Sequence, residues 1–188
     1  MSLTMSDLID VLKRRGQTQY GMEAVSQLEH ALQCAQWAEK SGETDETVVA
    51  CLLHDLGHLL AAERDHLIDH DTSVDDLHQY IALPFLRSLF PSAVLEPIRL
   101  HVDAKRYLCW AEPSYWEGLS PASQISLEQQ GGVFTDDQAQ AFLALPFAEE
   151  SIRLRRYDDR AKVPNQTTPD LDHYAVLMTK VNAQCVVA

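Results

Sequence analysis

Cys51-Leu52-Leu53-His54-Asp55-Leu56-Gly57-His58 is the stretch on which the reading of this chain turns. Two imidazoles and a carboxylate stand in its most apolar part. Such groups are costly to bury unless something pairs with them, and a divalent metal ion is a partner all three can share. His54 and His58 are four apart, which puts both rings on one side of a helix. Asp55, three before His58, points to a neighbouring direction. Gly57 removes a side chain beside them and lets another helix or a ligand approach. One histidine in such a run reads as a hydrogen-bonded core residue. His-Asp-x-x-His reads as a metal site.

Outward from the motif the pattern is helical. Residues 45–62 form the helix that carries it, apolar nearly all round at its start, as a central helix is. Residues 22–40 form another, with Val25, Leu28, Leu32 and Ala35 as its stripe and Ser41-Gly42 as its stop. Further helices are expected over 7–15, 74–90, 92–106, 135–145, 146–162 and 169–183. Ser120-Pro121 opens one more, with Ser as N-cap and Pro at the first position. Pro84 marks a kink or a break, whereas Pro97 lies near enough to a first turn to be tolerated. Residues 65–71 read as an acidic, His-containing loop, 112–118 as an irregular aromatic segment, and Gly131-Gly132 as a turn. Strand alternation is almost absent. The expected class is all-α, a helical bundle of about eight elements.

Composition narrows the partners. A chain of 188 residues suits one domain with a substantial core. The net charge of -13 argues against nucleic acid, which calls for a basic footprint; a small anion needs only a few local cations. No apolar run is long enough to suggest a membrane span, and residues 1–10 lack the marks of a signal peptide. Cys34, Cys51, Cys109 and Cys185 form no CxxC pair and read as reduced thiols of a cytoplasmic protein.

Three more histidines lie in helices with apolar stripes: His30, His78 and His101. A late acid, Asp158, stands in Arg155-Arg156-Tyr157-Asp158-Asp159. The order His, His-Asp, His, His, Asp resembles the HD-domain superfamily, whose helical core holds metals. The resemblance implies a single HD domain over 1–188, with its core over about 17–175. It also implies that one metal takes His30, His54, Asp55 and Asp158, and a second takes Asp55, His78 and His101. Asp55 would bridge ions roughly 3.5–4 Å apart. Four imidazoles and two carboxylates suit iron, manganese or zinc. His66, His70 and His173 have no place in the pattern and read as loop or surface residues.

Further stretches narrow the resemblance. They are Gln19-Tyr20-Gly21-Met22-Glu23, His101-Val102-Asp103-Ala104-Lys105, Ser120-Pro121-Ala122-Ser123, Gln130-Gly131-Gly132 and Arg160-Ala161-Lys162-Val163-Pro164. Together with the six ligands they are similar to the HD-domain mixed-valent di-iron oxygenases that cleave the C–P bond of organophosphonates. The activity this implies uses O2 as co-substrate on a 1-hydroxy-2-ammonioethylphosphonate, 2-amino or N-trimethylated. The products would be phosphate plus glycine or a methylated glycine such as betaine.

Each residue outside the ligand set has a physical task within that resemblance. Lys105 shares a helix face with His101 and offers an ammonium to the phosphonate, to which His58 can also donate. Arg155, three before Asp158, offers a planar fork. Ser123 lies in a helix's first turn, where free N–H groups favour an anion. Glu23, seven before His30 on an expected common face, would hold the substrate ammonium, and Tyr20 resembles the lid residue over an iron. Trp110, Tyr115 and Trp116 either wall the pocket or pack the core. The other readings are an HD phosphohydrolase acting through metal-activated water and a non-catalytic metal-binding protein.

Overall fold

The computed structural model describes residues 3–61 and 77–185, with side chains to Ala183. The loop expected over 65–71, with His66 and His70, lies outside the described residues, as do the start of the helix expected over 74–90 and the side chain of Cys185. Among the described residues the chain runs α1 (Met5–Arg15), α2 (Gln27–Lys40), α3 (Asp45–Leu53), α4 (Leu56–Ala61), α5 (His78–Ile81) and α6 (Leu83–Leu86). It continues through α7 (Ser92–Ala111), α8 (Pro113–Gly118), α9 (Pro121–Gln129), α10 (Asp136–Leu143), α11 (Ala148–Arg160) and α12 (Leu171–Cys185). The extended pairing described is one isolated antiparallel bridge, Gln19 to Ser26. The all-α expectation holds, with more and shorter helices than the apolar pattern suggests.

Residues 47–53 are all buried, and α3 packs against α2, α7, α11 and α12. It is the central helix its composition predicts. On α2 the buried face carries Ala31, Cys34, Ala35 and Ala38 beside His30. These small side chains let α2 lie close to α3. The described residues include no helix long and apolar enough to cross a membrane. Cys34, Cys51 and Cys109 are buried free thiols.

Several helix starts follow from capping chemistry. Thr4, Ser26 and Thr135 open α1, α2 and α10 with reciprocal boxes to Asp7, Glu29 and Gln138. Ser120 caps α9 with Pro121 behind it, as expected. Pro84 divides α5 from α6.

Four boundaries differ from expectation. The helix expected over 22–40 starts only at Gln27, because the Ser26–Glu29 box fixes its entry; Glu23 therefore lies in the turn before it, not on the face of His30. The helix expected over 45–62 breaks at His54-Asp55. There, His54 Nδ1 donates to Cys51 O at 2.9 Å, the carbonyl that an uninterrupted helix gives to the Asp55 N–H. His58 thus belongs to a different helix from the residues before His54. The helix expected to end near Arg106 runs to Ala111, and the irregular segment 112–118 is largely the short helix α8.

Candidate metal centre

The break after Leu53 places Asp55 between two groups of imidazoles. Its Oδ2 faces His54 Nε2 at 3.3 Å and His30 Nε2 at 3.6 Å. Its Oδ1 faces His78 Nε2 at 3.3 Å and His101 Nε2 at 3.6 Å. Asp158 closes the first group, its Oδ1 lying 3.5 Å from His30 Nε2 and its Oδ2 3.9 Å from His54 Nε2. The six residues expected as ligands are all buried and come together from α2, the α3–α4 junction, α5, α7 and α11. His58 stands 4.0 Å from Asp55 Oδ1 and stacks on His78 with centroids 4.1 Å apart, within reach of the second group.

Backbone carbonyls set the rings. His30 Nδ1 donates to Ala161 O (2.8 Å), His54 Nδ1 to Cys51 O (2.9 Å) and His101 Nδ1 to Ile98 O (2.7 Å). In each case Nε2 is left to point inward, the arrangement that fixes the tautomer of a metal-binding histidine. Nε2 of His30 lies 3.3 Å from that of His54, and Nε2 of His78 lies 3.0 Å from that of His101. Two lone pairs at that separation repel unless a positive centre, proton or metal, lies between or beside them.

Charge makes the same demand. Burial disfavours a charged His54, yet the groups around it, Asp55 foremost, together outweigh that and hold the ring's pKa up at about 10. Burial pushes His30 down to about 4 and His101 well below the usual histidine range. Burial also works against ionised Asp55 and Asp158, but His54 for the first and Arg155 for the second keep both well below ordinary carboxylates. Asp55 Oδ2 and Asp158 Oδ1 are buried with no hydrogen-bond partner. Buried acceptors left open, on ionised carboxylates beside converging imidazoles, fit a pair of metal ions.

The residues expected around the ligands each have partners within the protein. Tyr20 stacks on His30, with centroids 3.9 Å apart and planes 11° apart; burial, then the charges of Asp55 and Asp158, push its pKa well up. Lys105 is buried, with Nζ donating to Ser126 Oγ at 2.8 Å, and burial, then Arg155, lowers its pKa to about 7. Arg155 is turned toward protein groups: Nη1 to Asp158 Oδ2 at 2.8 Å, Nη2 to Asp159 and Nε to Tyr115 Oη at 3.3 Å. The Ser123 N–H is capped by Ser120 Oγ at 3.3 Å rather than free, while Ser123 Oγ accepts from Lys162 Nζ at 3.1 Å. Tyr115 bonds Asp159, whereas Trp110 and Trp116 are exposed, so of the three aromatics Tyr115 belongs to the site's surroundings. His173 is a surface residue paired with Glu39, as expected.

Lys162 is the residue that sequence reasoning missed. Its Nζ lies 3.3 Å from Glu23 Oε1, 3.1 Å from Ser123 Oγ and 5.9 Å from the Tyr20 ring centroid. Its place just past the end of the helix that carries Asp158 was the available signal.

A buried carboxylate shared by two histidine groups, set in helices in the order His, His-Asp, His, His, Asp, defines the class: the chain belongs to the HD-domain family, whose description it matches over residues 28–130. Two of the proteins it resembles are dioxygenases. It is 45% identical over 170 residues to the hydroxymethylphosphonate dioxygenase of Gimesia maris, covering 90% of this chain and 84% of that one. To the glycine-betaine-forming 1-hydroxy-2-(trimethylamino)ethyl phosphonate dioxygenase of Leisingera caerulea it is 35% identical over 171 residues, 91% of this chain and 86% of that one.

Proposed function

We propose that this chain is a di-iron, O2-dependent oxygenase that cleaves the C–P bond of a small 1-hydroxyphosphonate. The observation that carries the reading is Asp55, with one oxygen aimed at His30 and His54 and the other at His78 and His101. In this reading His30, His54, Asp55 and Asp158 hold one iron, and Asp55, His78 and His101 hold the other. The donor set suits iron, and the dioxygenase relatives favour it over zinc. When bound, such a mixed-valent pair supplies Lewis acidity and one-electron chemistry with O2.

The protein's own groups do the rest. Lys105 and the Ser123 hydroxyl offer donors to the phosphonate, and His58, partly exposed beside the second histidine pair, can add another. Arg155 holds Asp158 and adds its positive charge to the anion site. Tyr20 covers His30 and keeps water off the first metal position. Across the reaction the C–P bond breaks, C1 is oxidised to a carboxylate and O2 is reduced. Both oxygen atoms end in the products, a carboxylate and hydrogenphosphate, with one proton released.

The substituent on C1 separates the two named relatives: hydrogen in one substrate, a trimethylammoniomethyl group in the other. Glu23 is the sequence's argument for the ammonium side, with glycine or betaine as product. We further read the chain as one HD domain over 1–188 in a reducing cytoplasm, which its buried free thiols support.

The test is phosphate release by the iron-loaded protein from hydroxymethylphosphonate and from 1-hydroxy-2-aminoethylphosphonate, aerobically and anaerobically. Release that stops without O2 is expected. Equal release under both conditions would assign the site to a hydrolase using metal-activated water.

A further inference from the structure

Glu23 is the group that would recognise a substrate ammonium, yet the protein already supplies one. Lys162 Nζ stands 3.3 Å from Glu23 Oε1, a buried oxygen with no hydrogen-bond donor of its own. Both side chains are largely shielded from solvent, at 18% and 14% exposure, so the pair is not an ordinary surface contact. Its position is fixed from both sides. The turn before α2 folds back on itself, with Glu23 N–H donating to Tyr20 O and Tyr20 N–H to Val25 O, both at 2.9 Å. On the other side, Lys162 Nζ is held by Ser123 Oγ at 3.1 Å and Ser120 Oγ at 3.4 Å, at the start of α9.

The pair also lies at the metal centre. Lys162 is near enough to Asp158 to help keep its carboxyl ionised, and it sits beside the ring of Tyr20, which itself covers His30. A cationic substituent on C1 that reached Glu23 would meet Lys162 there. It would have to displace the lysine from the carboxylate or bear a like charge at close range in a place poor in water. A substrate with hydrogen on C1 meets neither difficulty and leaves the pair intact.

From this we infer that Lys162 is a specificity-determining residue: it fills the cation position on Glu23 from within the chain and tunes the pocket to 1-hydroxyphosphonates that carry no ammonium, hydroxymethylphosphonate being the smallest. The inference rests on the oxygenase reading above and reverses the substituent that Glu23 alone suggests.

The experiment compares hydroxymethylphosphonate with 1-hydroxy-2-aminoethylphosphonate on the iron-loaded full chain. Phosphate release gives kcat/KM, and anaerobic calorimetry gives binding. The wild type is expected to favour hydroxymethylphosphonate by roughly tenfold or more, because like charges brought together away from water cost at least that much. Lys162→Met should move the ratio of the two substrates toward the ammonium compound by about the same factor, mostly through KM and Kd. Lys162→Arg should retain the wild-type ratio, and Lys162→Gln, which keeps a donor for Ser123, guards against loss of the α9 contact as the cause. A wild type that prefers the ammonium substrate, or a ratio unmoved in both Lys162→Met and Lys162→Gln, overturns the inference while leaving C–P cleavage standing. Cleavage of neither phosphonate would instead remove the oxygenase reading, and this inference with it.

Discussion

Lys105 shows how one side chain ties binding to pH. It is 2% exposed, and burial lowers its pKa to about 7. In the unfolded chain a lysine titrates near 10.4. Its folded value is depressed, so below pH 7 the fold must keep a buried cation charged. Between about 7 and 10.4 the unfolded chain binds the extra proton, and this group's contribution to stability rises with pH. In the proposed anion site binding has the opposite slope: above about 7 the free protein's Lys105 is neutral, and an arriving phosphonate dianion would have to draw a proton onto it. Phosphonate affinity is therefore expected to fall as pH rises from 7 to 9. Calorimetry at pH 8.5 in two buffers of different ionisation enthalpy should show uptake approaching one proton, lost in Lys105→Met. Equal heats in the two buffers would remove Lys105 from the anion site. This much was half legible in the sequence: the i, i+4 spacing from His101 placed Lys105 on the right face, but its partner Ser126 comes from α9, twenty-one residues on. Glu23 is the harder case. Its pairing with Lys162, 139 residues later, leaves no local trace.

At the level of elements, the motif's glycine explains why His78 reaches the centre at all. A Cβ on Gly57 would lie 2.0 Å from His78 O and 2.7 Å from its carbonyl carbon, so the start of α5 rests directly on the backbone of α4. Leu77, just before it, adopts a left-handed conformation (φ 52°) that a branched side chain rarely tolerates, which aims His78 inward at some local strain. Gly57→Ala cannot be absorbed by a flexible side chain, because the obstacle is backbone. It should push α5 away from α4 and cost about 1–3 kcal/mol of stability, the usual range for overpacking. On the di-iron proposal it should also lower the iron content from two per chain toward one, with His30, His54 and Asp158 retaining theirs. Metal analysis beside thermal unfolding checks both, and full occupancy at wild-type stability would show that α5 can shift freely. The sequence did announce a close approach at Gly57. It did not announce the helix break at His54-Asp55, because apolar residues continue with helical spacing on both sides and only the His54 bond to Cys51 O reveals the interruption. The late start of α2 was readable: Ser26 and Glu29 form a capping box, a stronger signal than the apolar residues upstream of it.

Across the whole molecule the centre acts as a fastening. Its six candidate ligands come from residue 30 to residue 158 and from α2, the α3–α4 junction, α5, α7 and α11. The family match stops at residue 130, yet Asp158 and the Ala161 carbonyl that orients His30 lie beyond it, so the candidate centre extends through α11. Order along the chain made the ligands legible; the apolar pattern made the bundle legible; neither could show that α11 closes the site, since its apolar face gives no hint of what it covers. Without metal, the same pocket confines two ionised carboxylates and facing imidazoles whose Nε2 atoms approach to 3.0 and 3.3 Å. An ion that binds only the folded chain stabilises it by about 2.7 kcal/mol at a hundred times its dissociation constant. For a chain of this size that corresponds to a rise in Tm on the order of 5–10 °C per ion. Chelation of the iron-loaded protein is thus expected to lower Tm by at least that much, and added iron(II) should restore it. The shift should shrink in Asp55→Asn, which weakens both positions at once. It should persist in Lys180→Ala, a surface variant whose partner Asp45 lies at the start of α3, away from the centre. Calorimetric scans with and without chelator would measure it, and a Tm indifferent to chelation would mean that the six side chains hold no metal in the folded protein.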